Sequence, residues 1–132
     1  MTSPADQFGC AACYSEDAQA CWLHFQDRCR REHTLVDDSH FIVGLLRCPQ
    51  CGQRFVSVFT EFIDWVGGED PQYTTIMPLT EAEATTLIDG SRPIPAIGAL
   101  GSDRRYLTRD WPSGEPPTLT WALGPFHVAE GH

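Results

Sequence analysis

The chain has 132 residues, with 18 Asp and Glu against 9 Arg, no Lys, and a formal net charge of −9. That size suits one domain with a modest core. The acidic, lysine-free composition argues against nucleic acid as the default partner and removes Schiff-base and lysine-nucleophile chemistry. Residues 1–132 are expected to form a single cytoplasmic domain without a membrane segment. Met1–Gly9 lacks the basic and apolar regions of a leader, and no apolar run approaches the roughly 18 to 20 residues of a span. In a reducing compartment the six cysteines are expected to be metal ligands or buried thiols rather than disulfides. The negative field suits a basic protein partner, or serves solubility alone.

Residues 1–9 are polar and expected to be flexible, and Cys10-Ala11-Ala12-Cys13 then supplies a Cys-x-x-Cys pair. Ser15 reads as an N-cap ahead of acidic Glu16 and Asp17. Ala18, Cys21, Phe25 and Cys29 recur at helical intervals, with Trp22 and Leu23 widening the face, so a helix is expected over about Glu16–His33. Asp37-Asp38-Ser39 breaks the pattern, and Phe41–Arg47 is rich enough in Phe, Ile and Val to be a strand.

Cys48-Pro49-Gln50-Cys51-Gly52 follows at once and carries more information than any other stretch. Two thiols two residues apart on a turn make half of a tetrahedral zinc site. Proline stiffens that turn, and the glycine can take a positive φ that aims backbone N–H groups at sulfur. A long, bulged strand is expected from Arg54 to Val66, a turn over Gly67–Pro71, and a short strand over Tyr73–Met77. Thr80-Glu81-Ala82-Glu83 has the form of a capping box opening a short helix that Gly90 ends. The stretch 91–132 is rich in Pro and Gly, with strand-like pieces at Tyr106–Arg109 and Leu119–Leu123 and turn glycines at Gly98 and Gly101. The expected fold class is α+β: a zinc-ribbon-type β-hairpin in a small antiparallel sheet, one N-terminal helix and one short later helix.

The expected cofactor is Zn2+, and several ligand sets fit the spacings. One site can use Cys10, Cys13, Cys48 and Cys51 from two facing knuckles; structural zinc of this kind is worth roughly 10 to 16 kcal/mol in small finger peptides. Two sites can use Cys10, Cys13, Cys21 and His24 around one ion, and Cys29, His33, Cys48 and Cys51 around another, since residues three or four apart share a helix face. A third set takes Cys29, Cys48 and Cys51 with His33 or His40. Against ligation, Cys21 and Cys29 fit an apolar face as small buried hydrophobes, His24 suits a surface, His40 can bond the Asp37-Asp38 turn, and His127 and His132 carry no ligand spacing. Cys-Pro-x-Cys also resembles a glutaredoxin active site, but a strand rather than a helix is expected after it, and no βαβ unit surrounds it.

Catalytic signals are weak. Glu61, Asp64, and Asp37-Asp38 with His40 are the acid and base candidates, yet Glu61 and Asp64 point to opposite faces of a regular strand. No nucleophile elbow, phosphate-binding glycine loop or His-Glu-x-x-His motif occurs.

Asp37-Asp38-Ser39-His40-Phe41, the Cys48–Gly52 knuckle, Glu61-Phe62-Ile63-Asp64-Trp65 and Asp70-Pro71-Gln72-Tyr73 together resemble a group of small bacterial zinc-ribbon-like proteins with a Cys-Pro-x-Cys-Gly motif. The resemblance covers about half the chain and implies a metal, without an assigned activity. The Cys10–Cys21 region departs from that pattern, which favours Cys29 or a histidine as alternative ligands. A structural zinc domain that binds another protein is the leading expectation, with Phe62, Trp65 and Tyr73 beside Glu61, Asp64, Glu69 and Asp70 as contacts. The alternatives are a zinc-dependent hydrolase with a Cys/His site and a nucleic-acid-binding zinc ribbon using Arg28, Arg30 and Arg31.

Overall fold

Apolar residues run almost unbroken through Phe41–Leu46 and Phe55–Val58, the pattern of strands covered on both faces. The computed structural model, which describes residues 8–62, 70–112 and 115–128, has that architecture. Strands β1 (Arg30–Asp38), β2 (Phe41–Arg47), β3 (Arg54–Glu61), β4 (Gln72–Leu79), β5 (Arg105–Trp111) and β6 (Thr118–Leu123) form one six-stranded antiparallel sheet. Their order in the sheet is their order in the chain, so every pairing is between sequence neighbours. Helix α1 (Ala18–Asp27) precedes the sheet, while α2 (Glu81–Ile88) and a 3-10 helix (Ile94–Asp103) lie between β4 and β5.

Side-chain alternation sorts the core into two layers. Val43, Leu45, Val56, Val58, Met77, Leu79 and Tyr106 pack with Ala84 and Leu87 of α2 and with Ile97 of the 3-10 helix. Leu46, Phe55, Ile76 and Leu107 point the other way and pack with Phe25 and Cys21 of α1, together with Cys13 and Cys48. The cysteines are thus part of the layer that joins α1 to the sheet.

The α+β class and the hairpin β2–knuckle–β3 match expectation, with Arg47 paired to Arg54 across the knuckle. The hairpin departs from a small zinc ribbon because it sits inside a six-stranded sheet, between β1 and β4, and its facing knuckle precedes a helix. The first helix is shorter than its periodicity suggests. Asp17, not Ser15, is the N-cap and accepts from the backbone N–H groups of Gln19 and Ala20. At the other end both Arg28 and Cys29 donate to the His24 carbonyl, which closes the helix, and β1 begins at Arg30. Arg30–His33, expected to be helical, belongs to an exposed edge strand whose pairing with β2 shifts register twice. The Tyr73–Met77 strand extends to Gln72–Leu79, the capping box at Thr80 and Glu83 is present, and an unanticipated 3-10 helix follows α2. Gly98 is more than a turn residue: a Cβ there would lie 1.7 Å from the Phe126 carbonyl oxygen. Expectations for 1–7, for Ile63 to Glu69 and for His132 fall outside the described residues.

Arg104 clamps α2 to the sheet. Only 4% exposed, it forms an ion pair with Glu83, donates to the Pro78 carbonyl at 3.1 Å and meets Asp103 at 2.8 Å. Burial pushes the Glu83 carboxyl pKa up, but the Arg104 guanidinium and the Thr80 cap outweigh it and hold the carboxyl below its ordinary value. A depressed carboxylate stabilises the fold above its unfolded pKa of about 4.3, and that contribution is lost as pH falls through the folded value. Arg104→Met should therefore lower unfolding stability at pH 7 by about 3 to 5 kcal/mol. In denaturant titrations the gap between wild type and variant should narrow below about pH 4.

Candidate metal centre

Each of the two Cys-x-x-Cys segments is a tight turn built by local backbone bonds. The Cys13 amide donates to the Cys10 carbonyl at 3.0 Å, the Gly52 amide to Cys48 at 2.9 Å, and the Cys48 amide to Gln53 at 2.9 Å. Gly52 closes the second turn at φ +78°, the left-handed conformation expected of it. Gly9 opens the first at φ +84°, packed so closely that an added Cβ would lie 3.0 Å from Cys13 Cβ and 3.2 Å from Gln53 Cβ.

The turns face each other. The Sγ atoms of Cys10, Cys13, Cys48 and Cys51 all lie within 4.8 Å of one another. Cys10 and Cys13 are 3.8 Å apart, as are Cys13 and Cys51. A tetrahedral zinc with bonds of about 2.3 Å sets its sulfurs about 3.8 Å apart. A disulfide needs about 2.05 Å, and all six cysteines are free thiols. The four cysteines are therefore positioned to hold a metal ion, and the soft, deprotonable donor set suits a thiophilic one.

Backbone and burial pull the thiols in opposite directions. Burial would raise the Cys10 pKa, but N–H groups of Cys13 and Ala12 aimed at its sulfur bring it down to about 7. Burial first, and the neighbouring Cys48 second, push Cys13 upward, and burial pushes Cys51 upward as well. A bound dication reverses this by displacing the protons. Metal affinity therefore rises with pH while the thiols still carry protons.

Other elements seat the first knuckle. The Arg105 guanidinium lies 4.0 Å from the centre of the Tyr14 ring and 3.9 Å from that of Trp121, and donates to the Tyr14 carbonyl at 2.7 Å. Trp121 Nε1 donates to Ser15 at 3.1 Å. Strands β5 and β6 thus hold the chain just past Cys13, and the hairpin holds Cys48 and Cys51.

The remaining candidates divide. Cys21 is a fully buried core thiol that donates to the carbonyls of Ala12 and Ser15. His33 stands exposed on β1 opposite Leu45 and is not among the clustered side chains. In its place is His24, 8% exposed on α1, whose Nε2 lies 3.4 Å from Cys48 Sγ and 3.6 Å from Cys13 Sγ. Burial, then the charge of Arg28, lowers the imidazole pKa, favouring the neutral ring. Cys29, its thiol raised by burial to about 12, forms a three-membered group with His24 and Cys48, again within 4.8 Å. His40 pairs with Glu61 at 3.1 Å, and its amide donates to Asp38. Glu61 ends β3 at the far end from the knuckle, so seven steps of about 3.4 Å each put Glu61 and its partner His40 roughly 24 Å from the thiols.

No helix among the described residues is long and apolar enough to cross a membrane. Comparison with protein-family models, curated proteins and solved structures returns no match.

The close quarters around Gly9 make a specific prediction. Gly9→Ala should weaken zinc binding about tenfold, as read by competition with a chromophoric chelator, since a left-handed alanine costs about 1 to 2 kcal/mol. Gly90→Ala is the control: Gly90 has φ +81° with nothing within 4 Å of an added Cβ, so it should lower fold stability without changing zinc affinity.

Proposed function

We propose that the chain is an acidic protein-interaction domain whose rigidity depends on structural zinc. The observation that carries this reading is the donor set: four thiolates supply all four positions of a tetrahedral ion and leave none for a reacting water. The distance to Glu61 and His40 argues the same way against a zinc hydrolase that uses them as base. The metal's task in this reading is to fix the first knuckle and α1 against the hairpin.

The binding surface lies at the far end of the sheet. Phe62 and Tyr73 meet edge to face at 6.0 Å, and with Val58, Thr60, Thr75, Phe126 and His127 they line a cleft of about 160 Å³. Glu61 and Asp70 flank them. An aromatic anchor rimmed by carboxylates on a chain of net charge −9 fits a basic protein partner.

A second reading, nucleic-acid binding, draws on a different observation. Arg28, Arg30 and Arg47 line a cleft of about 600 Å³ with Cys48, Pro49, Cys51 and Gly52, concentrating positive charge beside the knuckle of an acidic protein. Glu32 on the same wall offsets it by pairing with Arg47 at 3.5 Å. This reading requires binding to an oligonucleotide that weakens steeply with salt and weakens further in Arg28→Ala and Arg30→Ala.

Protein purified without added metal should contain at least one zinc per chain, and Cys51→Ser should lower that content. A metal-free protein with an intact disulfide would overturn the zinc reading. Affinity capture from the protein's own cell lysate should yield a specific basic protein that is lost on Glu61→Lys with Asp70→Lys. Absence of any specific protein, or retention by the charge-reversed variant, would overturn the binding reading.

A further inference from the structure

Two side chains beside the four-cysteine site are not needed as ligands in a one-ion centre. His24 is nearly inaccessible to solvent, and its Nε2 is aimed between two sulfurs, at 3.4 Å from Cys48 and 3.6 Å from Cys13. Cys29 completes a group with His24 and Cys48 in which every donor atom is within 4.8 Å of the others. The local backbone explains this meeting. Cys29 follows the end of α1, and its amide folds back onto the His24 carbonyl at 3.1 Å, an i to i−5 bond that ends the helix and returns the chain toward the residue it bonds.

The distances are those of a shared coordination sphere. Zinc bonds of about 2.3 Å to sulfur and about 2.0 to 2.1 Å to imidazole nitrogen place neighbouring sulfur and nitrogen donors about 3.6 Å apart in a tetrahedron. We propose that His24 and Cys29 form a second metal position that shares the Cys48 thiolate with the first. Its ligand is a second thiophilic divalent cation, zinc under ordinary conditions. The first ion then has four protein donors, Cys10, Cys13, Cys48 and Cys51, and the second has three, His24, Cys29 and Cys48.

Charge supplies the energetic reason. Four thiolates around one dication leave two negative charges in a layer built with Phe25, Leu46 and Phe55, whereas five thiolates around two dications leave one. The competing arrangement has one ion, with the His24 N–H donating to two metal-bound sulfurs and Cys29 remaining a half-buried thiol. It predicts a different stoichiometry.

The test is native mass spectrometry of the full chain, reduced, loaded with zinc and freed of excess metal. Two zinc ions per wild-type chain are expected, falling to one in Cys29→Ser and in His24→Leu, with Cys21→Ser keeping two. One zinc in the wild type would overturn this inference while leaving the structural-zinc reading intact, and none would overturn that reading too. Two ions retained in both Cys29→Ser and His24→Leu would place the second ion elsewhere and also overturn it. Should either variant fail to fold, 113Cd NMR of the cadmium-loaded wild type decides. Two resonances coupled to each other through a bridging thiolate are expected, and a single resonance contradicts the proposal.

Discussion

Four thiols gathered within 4.8 Å, with Cys13 and Cys48 buried and Cys51 exposed, are the constraint on which this structure turns. As neutral thiols they have little reason to converge, and as bare thiolates they repel one another. A cation held there would resolve the conflict, and its binding free energy would become folding free energy because the unfolded chain has no such site. The two knuckles are joined only through a long intervening segment that contains α1, β1 and β2, so an ion between them closes a large loop. Everything between Cys13 and Cys48 would be held at both ends by that closure.

The effect reaches beyond the metal because Cys13 and Cys48 share a packed layer with Phe25 of α1 and Phe55 of β3, whose rings are 4.8 Å apart. A helix of ten residues is short for independent stability. Its order rests on this apolar layer, on the Asp17 cap and on the anchors that Arg105 and Trp121 supply from the sheet. The opposite layer, with α2 clamped by Arg104, contains no cysteine. The sheet therefore separates the side that carries the candidate metal site from a side whose core is conventional.

Features set by local chemistry were legible in the sequence. The Cys48–Gly52 knuckle, the capping box at Thr80 and Glu83, and the apolar strands Phe41–Arg47 and Tyr106–Arg109 all depend on neighbours in the chain. Strand β1 was hidden because it is an exposed edge with two register shifts, so its residues show no clean alternation. Cys29, one step beyond the helical repeat of Cys21 and Phe25, extended the apparent helix across that boundary. The same extension promoted His33, which only a helix would bring within chelating reach of Cys29. His24 was legible only as a helix-face partner of Cys21, and its position beside the sulfurs of Cys13 and Cys48 follows from how α1 docks, a tertiary fact. The pair Cys10 and Cys13 was legible as a motif, but only the fold shows which sulfurs it faces.

The claim that a metal ion docks the N-terminal segment and α1 on a sheet with its own core is tested most directly by amide hydrogen exchange before and after chelation under reducing conditions. The account predicts that metal removal raises exchange sharply across residues 8–29 and at the knuckle, while the β3–β4 pairing and α2 keep most of their protection. Unchanged protection in α1 after complete metal removal would contradict it.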